Sequence, residues 1–167
     1  MTKKLFGTDG VRGVANVYPM TAEFAVKLGM ACGQEICRNK RRAAIGRDTR
    51  ISGEMLEAGL TAGLTAAGID VVKLGVLPTP AVTSVTPELD VDMSFMITAS
   101  HNPYQDNGIK LITAEGDKFS DEVTSRLGLP QTGLSWTAAG RVPSAKTGKR
   151  SCFIWKKPKA LSNRIVR

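Results

Sequence analysis

The segment Thr98–Pro103, TASHNP, places a serine next to the only histidine of the chain. A hydrolase of the serine–histidine type needs an imidazole that reaches the serine oxygen and is itself oriented by an acid. Adjacent side chains in an extended loop point apart, so we expect His101 to be badly placed as a base for Ser100. The sequence also lacks the G-x-S-x-G turn of the α/β-hydrolases. The segment therefore argues against a hydrolytic nucleophile.

A serine that carries a phosphoryl group has different requirements. It needs an exposed oxygen, nearby cations and usually a divalent metal ion to balance the charge of the transferring group. Arg12 and Lys110 can supply the cations. His101 and Asn102, which follow Ser100 directly, can donate hydrogen bonds. A plain polar turn is the alternative that these residues alone leave open.

Two further glycine-containing loops carry arginines, Gly7–Gly13 (GTDGVRG) and Gly46–Gly53 (GRDTRISG). Glycines let backbone N–H groups converge on an anion, and the arginine fork suits phosphate. The first loop fits a tight turn with a surface arginine equally well. The second also fits a helix cap with surface salt bridges. Both readings stay open at the level of the residues.

Helical and strand patterns alternate along residues 21–127. Apolar residues at three- and four-residue spacing predict helices, and short apolar or β-branched runs predict strands. The alternation predicts an α/β fold, a layered helix–sheet–helix domain with a mixed, mostly parallel sheet. Because ligands of such sheets bind beyond the carboxyl ends of strands, we expect the three loops to meet there. The predicted helices begin at the N-cap candidates Thr21, Ser52 and Ser120 and after Pro80, and the predicted strands are Ala43–Gly46, Ile69–Leu74, Met93–Thr98 and Ile109–Thr113.

Glycines, turn residues and basic residues refine the element boundaries. The basic cluster Arg38–Arg42 suits the negative end of the first helix. Gly59 and Gly63 weaken the second helix, so we expect them to let it lie close against the sheet. Asp106–Gly108, with the sequence DNG, predicts a turn before the last strand.

Charge divides the chain into two parts. All 15 acidic residues fall within residues 1–128, whereas residues 129–167 hold nine Lys and Arg residues and no acid. The later part also lacks a sustained hydrophobic period, which is typical of a disordered tail. A shifted reading frame that ends in a premature stop is one hypothesis for residues 128–167. A genuine basic tail that binds nucleic acid is the less favoured alternative.

Composition also bears on the compartment. No run of about eighteen apolar residues occurs, so we expect no membrane span. The opening MTKKLFGTDG has no apolar segment of the kind that a secretory signal requires. Cys32, Cys37 and Cys152 form an odd set without C-x-x-C spacing, which favours reduced, buried thiols in the cytoplasm.

Three ordered motifs together resemble the α-D-phosphohexomutase superfamily. They are FGTDGVRG at Phe6–Gly13, GRDTRISG at Gly46–Gly53, and TASHNP followed by NGIKL at Asn107–Leu111. The FGTDG opening is most similar to the bacterial phosphoglucosamine mutases. The resemblance covers residues 1–127, which we interpret as the first domain of such an enzyme, followed by the tail at 128–167.

The resemblance implies a role for each motif residue. Ser100 is expected to be the phosphoserine that exchanges phosphate with glucosamine 6-phosphate, through a bisphosphate, to give glucosamine 1-phosphate. Arg12 and Lys110 are expected to neutralise charge and assist proton transfer, beside His101 and Asn102. Mg²⁺ is expected to sit against Ser100 as its metal ligand. The residues expected to contact the substrate are Thr8, Asp9, Gly10, Arg47 and Asp48.

The family's other sequence signatures are missing from this chain. Family members carry a metal loop of the D-G-D-G-D-R kind, a sugar-recognition loop and a phosphate clamp in three later domains. We therefore expect the isolated chain to be inactive as a mutase, and its small-molecule partner to be a phosphosugar substrate. A sheet edge left uncovered can favour self-association or a homodimer.

Overall fold

Two long helices and one sheet share the main hydrophobic core of the computed structural model, which describes residues 6, 7 and 10–127. The described residues form five strands and four α-helices. In chain order these are β1 Val11–Val14, α1 Ala22–Glu35, β2 Arg42–Arg47, α2 Gly53–Ala66, β3 Asp70–Val76, α3 Thr79–Val85 with a short 3₁₀ turn at Thr86–Glu88, β4 Met93–Ile97, β5 Asp106–Thr113 and α4 Asp121–Ser125.

The sheet has the strand order β1-β5-β4-β2-β3. β2 pairs in parallel with both β3 and β4, whereas β5 runs antiparallel to its neighbours β4 and β1. Four of the five strands therefore run in the same direction, which confirms the predicted mixed sheet. Alternate residues of the strands face α1 and α2 on one side and α3 on the other. The predicted helix–sheet–helix layering is confirmed.

The two long helices approach each other closely because glycines face one another. A Cβ on Gly29 would lie 2.6 Å from the Leu60 carbonyl oxygen, and one on Gly59 would lie 2.9 Å from that of Ala22. A Cβ on Gly63 would overlap the Val26 carbonyl oxygen. The prediction that Gly59 and Gly63 face the sheet is therefore wrong, since they face α1. The bare backbone lets the helices pack at a distance that side chains would prevent.

Side chains outside the helices bind their ends. The Thr21 hydroxyl accepts a hydrogen bond from the Phe24 N–H, 3.2 Å away, as its N-cap type predicts. The basic cluster serves two helices rather than one. Arg38 donates to the Gln34 carbonyl at the end of α1, while Arg41 donates to the Ala67 and Gly68 carbonyls at the end of α2. These cations satisfy carbonyl groups that the helices leave unpaired.

Two local predictions are wrong, and one strand is not predicted by the sequence. β1 was not expected, because Val11–Val14 lies within a loop motif rich in glycine. Asp106–Gly108 is not a turn but the first part of β5, where it pairs with β1. Ser52 precedes α2 at the N-cap position, yet its side chain makes no capping bond and instead accepts one from Asn107.

The thiols of Cys32 and Cys37 are both free and buried, as predicted. Burial is the main reason that the pKa of each thiol is raised. The pKa of Cys32 lies well above its ordinary value, and that of Cys37 rises to about 12, where the charge of Asp92 adds to the effect of burial. Cys152 lies outside the described residues. Both described thiols behave as small apolar groups.

The compositional tail at 128–167 lies outside the described residues. Its proposed origin in a shifted frame, its alternative role in nucleic-acid binding and the domain boundary after residue 127 all stay predictions. Within residues 6, 7 and 10–127, no helix is both long enough and apolar enough to cross a membrane.

We expect Gly63→Ala to destabilise the domain by roughly 1–3 kcal/mol, because the added methyl overlaps the backbone of α1 and forces the helices apart. The free energy of unfolding in urea measures the effect. Thr65→Ala, at an exposed position of the same helix, is the control and is expected to change stability by less than about 0.5 kcal/mol. Equal stability of the two variants would contradict the close helix approach.

We expect Cys32 and Cys37 to resist iodoacetamide at pH 8 in the folded chain, because the raised pKa keeps each thiol protonated and burial blocks access. Peptide mapping by mass spectrometry measures labelling, and urea-unfolded chain is the control in which both should react. A folded-state pKa above the unfolded value also means that stability falls as the pH rises above about 9. Rapid labelling of either thiol in the folded chain would contradict its burial.

Candidate active site

The loops after β2 and β4 lie side by side. These strands are parallel neighbours, so their carboxyl ends meet at one edge of the sheet. The Asp48 N–H donates to the Ile97 carbonyl at 3.0 Å, which joins GRDTRISG to TASHNP directly. The expectation that these two loops meet is confirmed. The third motif, GTDGVRG, does not follow a strand as expected, because its second half is β1 itself.

Ser100 lies in the loop after β4 and is exposed to solvent. Its φ angle is +57°, a left-handed conformation that residues other than glycine rarely adopt. Its N–H donates to Thr98 Oγ1 at 3.0 Å, and its carbonyl accepts from Arg50 Nη2 at 2.9 Å. The backbone on both sides of the side chain is therefore fixed, while the residue as a whole is exposed.

His101 lies closer to the serine than the sequence predicted. Its Nδ1 is 3.5 Å from Ser100 Oγ, because the left-handed turn brings the two side chains together. That distance is at the outer limit of a hydrogen bond. Among the described residues no carboxylate is hydrogen-bonded to the imidazole, so a serine–histidine–acid triad is not assembled there.

Asn102 stabilises the segment that carries Ser100, residues 98–106, which we call the serine loop. Its side chain donates to Asp106 Oδ2 at 2.9 Å, and its own N–H donates to the Ala99 carbonyl at 3.1 Å. These bonds close the loop between β4 and β5. The contribution of Asn102 to the site is therefore the shape of the loop.

Arg12 and Lys110 lie on the same face of the sheet. Arg12 on β1 pairs with Gly108 on β5, and Lys110 comes two residues after Gly108, so the strand period gives both the same orientation. The Thr98 N–H donates to the Gly108 carbonyl at 2.9 Å, which brings the start of the serine loop into the same row. The sheet thus places two cationic side chains from separate strands in one row, and it joins that row to the backbone of Thr98, two residues before Ser100.

Gly108 allows this row to form. A Cβ there would lie 2.7 Å from the Thr98 carbonyl oxygen, 2.8 Å from that of Val11 and 2.9 Å from Arg12 Cγ. The arginine side chain therefore passes over a position where any other residue would displace it.

Beside Lys110 is a cavity of about 200 Å³. Lys110 and Lys118 contribute to its wall together with the hydroxyl-bearing Thr79 and Thr83 of α3. The rest of the lining is mainly apolar and includes the carboxylate-bearing Asp117, so the wall carries both signs of charge. Gly10, another predicted substrate contact, also lines the cavity, with a φ angle of +103°. Thr8 and Asp9, which precede it, lie outside the described residues.

Arg47 and Asp48 have internal partners. Arg47 Nε is 3.0 Å from Glu57 Oε2, and its Nη2 is 3.0 Å from Glu54 Oε1, so the guanidinium lies along α2, away from the Arg12–Lys110 row. Asp48 Oδ2 accepts from Thr98 Oγ1 at 2.6 Å. The structure does not bring Arg47 to the serine loop, and substrate contact by either residue stays a prediction.

Arg50 is the site residue that sequence reasoning missed. Its Nε donates to Asp48 Oδ2 at 3.1 Å, and its two terminal nitrogens donate to four carbonyl oxygens of the serine loop. The sequence shows two arginines in GRDTRISG and a carboxylate between them, but not which one turns towards the neighbouring strand. The four carbonyls belong to Ser100, Asn102, Pro103 and Asp106, at 2.9, 2.9, 2.6 and 2.9 Å.

A buried amide on β5 also binds the GRDTRISG loop. Asn107, fully buried, donates to Ser52 Oγ at 2.8 Å, and its Oδ1 accepts from the Gly108 N–H at 2.8 Å. Ser52 belongs to the GRDTRISG loop, so this bond joins the loop after β2 to the start of β5. Both ends of the amide are satisfied, as a buried polar group requires.

The comparisons with known proteins agree with this architecture. Residues 3–128 match the family model described as phosphoglucomutase/phosphomannomutase, alpha/beta/alpha domain I. Phosphoglucosamine mutase of Paramagnetospirillum magneticum is 59% identical over 124 residues, which are 73% of this chain, and that of Jannaschia is 55% identical over 130 residues, or 76%. A crystal structure of a phosphoglucomutase/phosphomannomutase family protein from Burkholderia thailandensis aligns with a TM-score of 0.60 at 30% identity, over 73% of this chain and 28% of that one.

The chain spans less than a third of the length of the curated relatives that it matches. The matched part is 28% of the Paramagnetospirillum protein and 29% of the Jannaschia protein. The match ends at residue 128, next to the point where the acidic residues of this chain end.

We expect Gly108→Ala to destabilise the domain by roughly 1–3 kcal/mol, because the new methyl meets backbone oxygens on both neighbouring strands. Thermal denaturation measures the effect. Gly13→Ala on β1 is the matched control, since a Cβ there meets its nearest atoms at an ordinary 3.5 and 3.6 Å. If both variants melted with the parent chain, the close row of Arg12, Gly108 and Thr98 would be wrong.

Proposed function

The chain belongs to the phosphoglucomutase/phosphomannomutase family through its α/β/α domain I, and we propose that Ser100 carries the phosphoryl group of a phosphosugar mutase. The observation that supports the proposal is an exposed serine on a fixed backbone, in a loop whose first residue, Thr98, is bonded to Gly108 in the row that holds Arg12 and Lys110. Cations near a serine oxygen are what phosphoryl transfer requires. A hydrolytic role has no such support, because the imidazole next to Ser100 lacks an orienting acid among the described residues.

The substrate we propose is an amino-sugar phosphate, with glucosamine 6-phosphate and glucosamine 1-phosphate interconverted. Support comes from relatives at 52–59% identity that are named phosphoglucosamine mutase. Sugar recognition is proposed for the longer protein, because the matched part is under a third of those relatives. The role that we propose for this domain in the reaction is to carry the phosphate on Ser100.

Each transfer exchanges one phosphorus–oxygen bond for another. The bond between Ser100 Oγ and phosphorus breaks as phosphorus bonds to the free hydroxyl oxygen of the sugar monophosphate. The sugar hydroxyl loses its proton and the serine oxygen gains one, so atoms and charge balance. The bisphosphate then returns its other phosphate to the serine by the reverse chemistry, which leaves the isomerised monophosphate.

Arg12 and Lys110 are proposed to stabilise the charge on the transferring group. Arginine offers a planar fork that matches phosphate oxygens, whereas lysine offers a compact charge that adapts its position. Because they lie on neighbouring strands, their spacing is set by the sheet and not by a flexible loop. Preorganised charge of this kind needs no rearrangement during the reaction.

Family resemblance implies Mg²⁺ at Ser100, but the described residues do not fit a metal site by themselves. They contain no group of three or more His, Cys, Asp or Glu side chains that could hold a metal ion. Asp48, the carboxylate that joins the serine loop, already accepts hydrogen bonds from Thr98 and Arg50. The steps above are therefore derived from side chains alone, and Mg²⁺ stays a prediction of the family resemblance.

A cytoplasmic location and self-association through this domain also stay proposals. A phosphosugar enzyme with reduced thiols suits the cytoplasm. The edge strands β1 and β3 each leave one side without a strand partner within the described residues, which gives self-association a physical basis.

We expect the chain to take up one phosphate when it is incubated with glucosamine 1,6-bisphosphate and Mg²⁺, and Ser100→Ala to take up none. Intact-mass spectrometry measures the uptake, and peptide mapping locates it. Ser84→Ala, at an exposed serine of α3, is the control and should take up phosphate like the parent chain. Uptake that persists in Ser100→Ala, or no uptake by the parent chain, would overturn the proposal.

A further inference from the structure

One guanidinium holds the whole serine loop. All five N–H donors of Arg50 have acceptors inside the protein, one on the Asp48 carboxylate and four on carbonyl oxygens between residues 100 and 106. The side chain is only 11% exposed. Four backbone carbonyls therefore converge on a single planar group that comes from a different strand ending.

The same network reaches the other side of the serine. Asp48 accepts from Arg50 Nε and from Thr98 Oγ1, and Thr98 Oγ1 in turn accepts from the Ser100 N–H. Arg50 Nη2 binds the Ser100 carbonyl. The bonds form a ring that contains both backbone polar groups of Ser100, so the strained φ angle of +57° is held from both sides.

We propose that Arg50 is a positioning residue, which sets the direction of the Ser100 hydroxyl by fixing the backbone that carries it. The inference rests on the proposed function of Ser100 as the phosphate carrier. It assigns to GRDTRISG a role distinct from that of a phosphate-binding loop. With its five donors engaged and Asp48 balancing its charge, Arg50 contributes geometry, whereas Arg12 and Lys110 contribute charge.

This division predicts how the reaction changes when Arg50 is replaced. Arg50→Lys keeps the positive charge but has three donors on one atom, which cannot reach four carbonyls and a carboxylate together. The donor bisphosphate should still bind, because Arg12 and Lys110 are unchanged. The hydroxyl should lose its alignment, and misplacement by about 1 Å is enough to slow a reaction about 100-fold.

The experiment measures phosphate uptake by Ser100 against bisphosphate concentration, by intact mass over time. For Arg50→Lys we expect the maximal rate to fall about 10–100-fold, with the half-saturating concentration changed by less than about twofold. Arg41→Lys is the matched control, because Arg41 also binds backbone carbonyls but at the end of α2. It should leave both parameters unchanged. A parent-like rate in Arg50→Lys, or a loss that appears only as weaker bisphosphate binding, would overturn the proposal.

Two further variants separate positioning from simple unfolding. Arg50→Ala should regain uptake when guanidinium is added at concentrations far below those that unfold proteins, whereas ammonium should not restore it. Thr98→Val removes the hydroxyl that links Asp48 to the Ser100 N–H and leaves every arginine in place. It should therefore lower the maximal rate of phosphate uptake, as Arg50→Lys does. The proposed ring of hydrogen bonds would be contradicted if guanidinium did not restore phosphate uptake to a folded Arg50→Ala chain and Thr98→Val took up phosphate normally.

Amide hydrogen exchange tests the ring without any phosphate donor. The Ser100 and Asn102 amides should exchange at least about tenfold faster in Arg50→Lys, while those of α1 should not change. If the parent chain takes up no phosphate, the proposed function fails, and the exchange result alone judges whether Arg50 holds the loop. If uptake is normal but exchange does not change, the proposed role of Arg50 fails on its own.

Discussion

The meeting of two parallel strand ends is the constraint on which the site depends. β2 and β4 finish side by side, so the loop that carries Ser100 and the loop that carries Asp48 and Arg50 share one edge of the sheet. A carboxylate and a guanidinium from one loop then satisfy the backbone of the other. The serine loop has little regular structure of its own, and its shape comes from residues about 50 positions earlier in the chain.

Most of the fold could be predicted because its elements have strong local signals. The stripe of Leu56, Leu60 and Leu64 is fully buried as expected, and α2 ends just before Gly68, whose φ angle is +77°. β1 could not be predicted in this way. It is four residues long, and as an edge strand it depends on β5 for its hydrogen bonds. A strand of that kind is defined by its partner, which no local pattern records.

Some features of the candidate site could also be predicted from the sequence, whereas others could not. The family motifs predict that Arg12 and Lys110 act together at Ser100, and the register of β1 against β5 gives the two cations a common face. The different hydrogen-bond partners of Arg47 and Arg50 could not be predicted, because both are arginines of one loop with carboxylates nearby in the sequence. Arg47 ends a strand and faces α2, whereas Arg50 lies beyond a turn that directs it to the neighbouring loop. Tertiary pairing decides such cases.

The left-handed backbone at Ser100 restricts which hydroxyl amino acid the loop can hold. Threonine offers the same oxygen, but its β-branch is poorly tolerated at positive φ. Tyrosine would move its oxygen several ångströms away from the backbone that Thr98 and Arg50 hold. Serine thus fits the positive φ better than threonine and keeps its oxygen closer to the backbone than tyrosine. The residue type at this position is therefore constrained by backbone geometry before any question of reactivity arises.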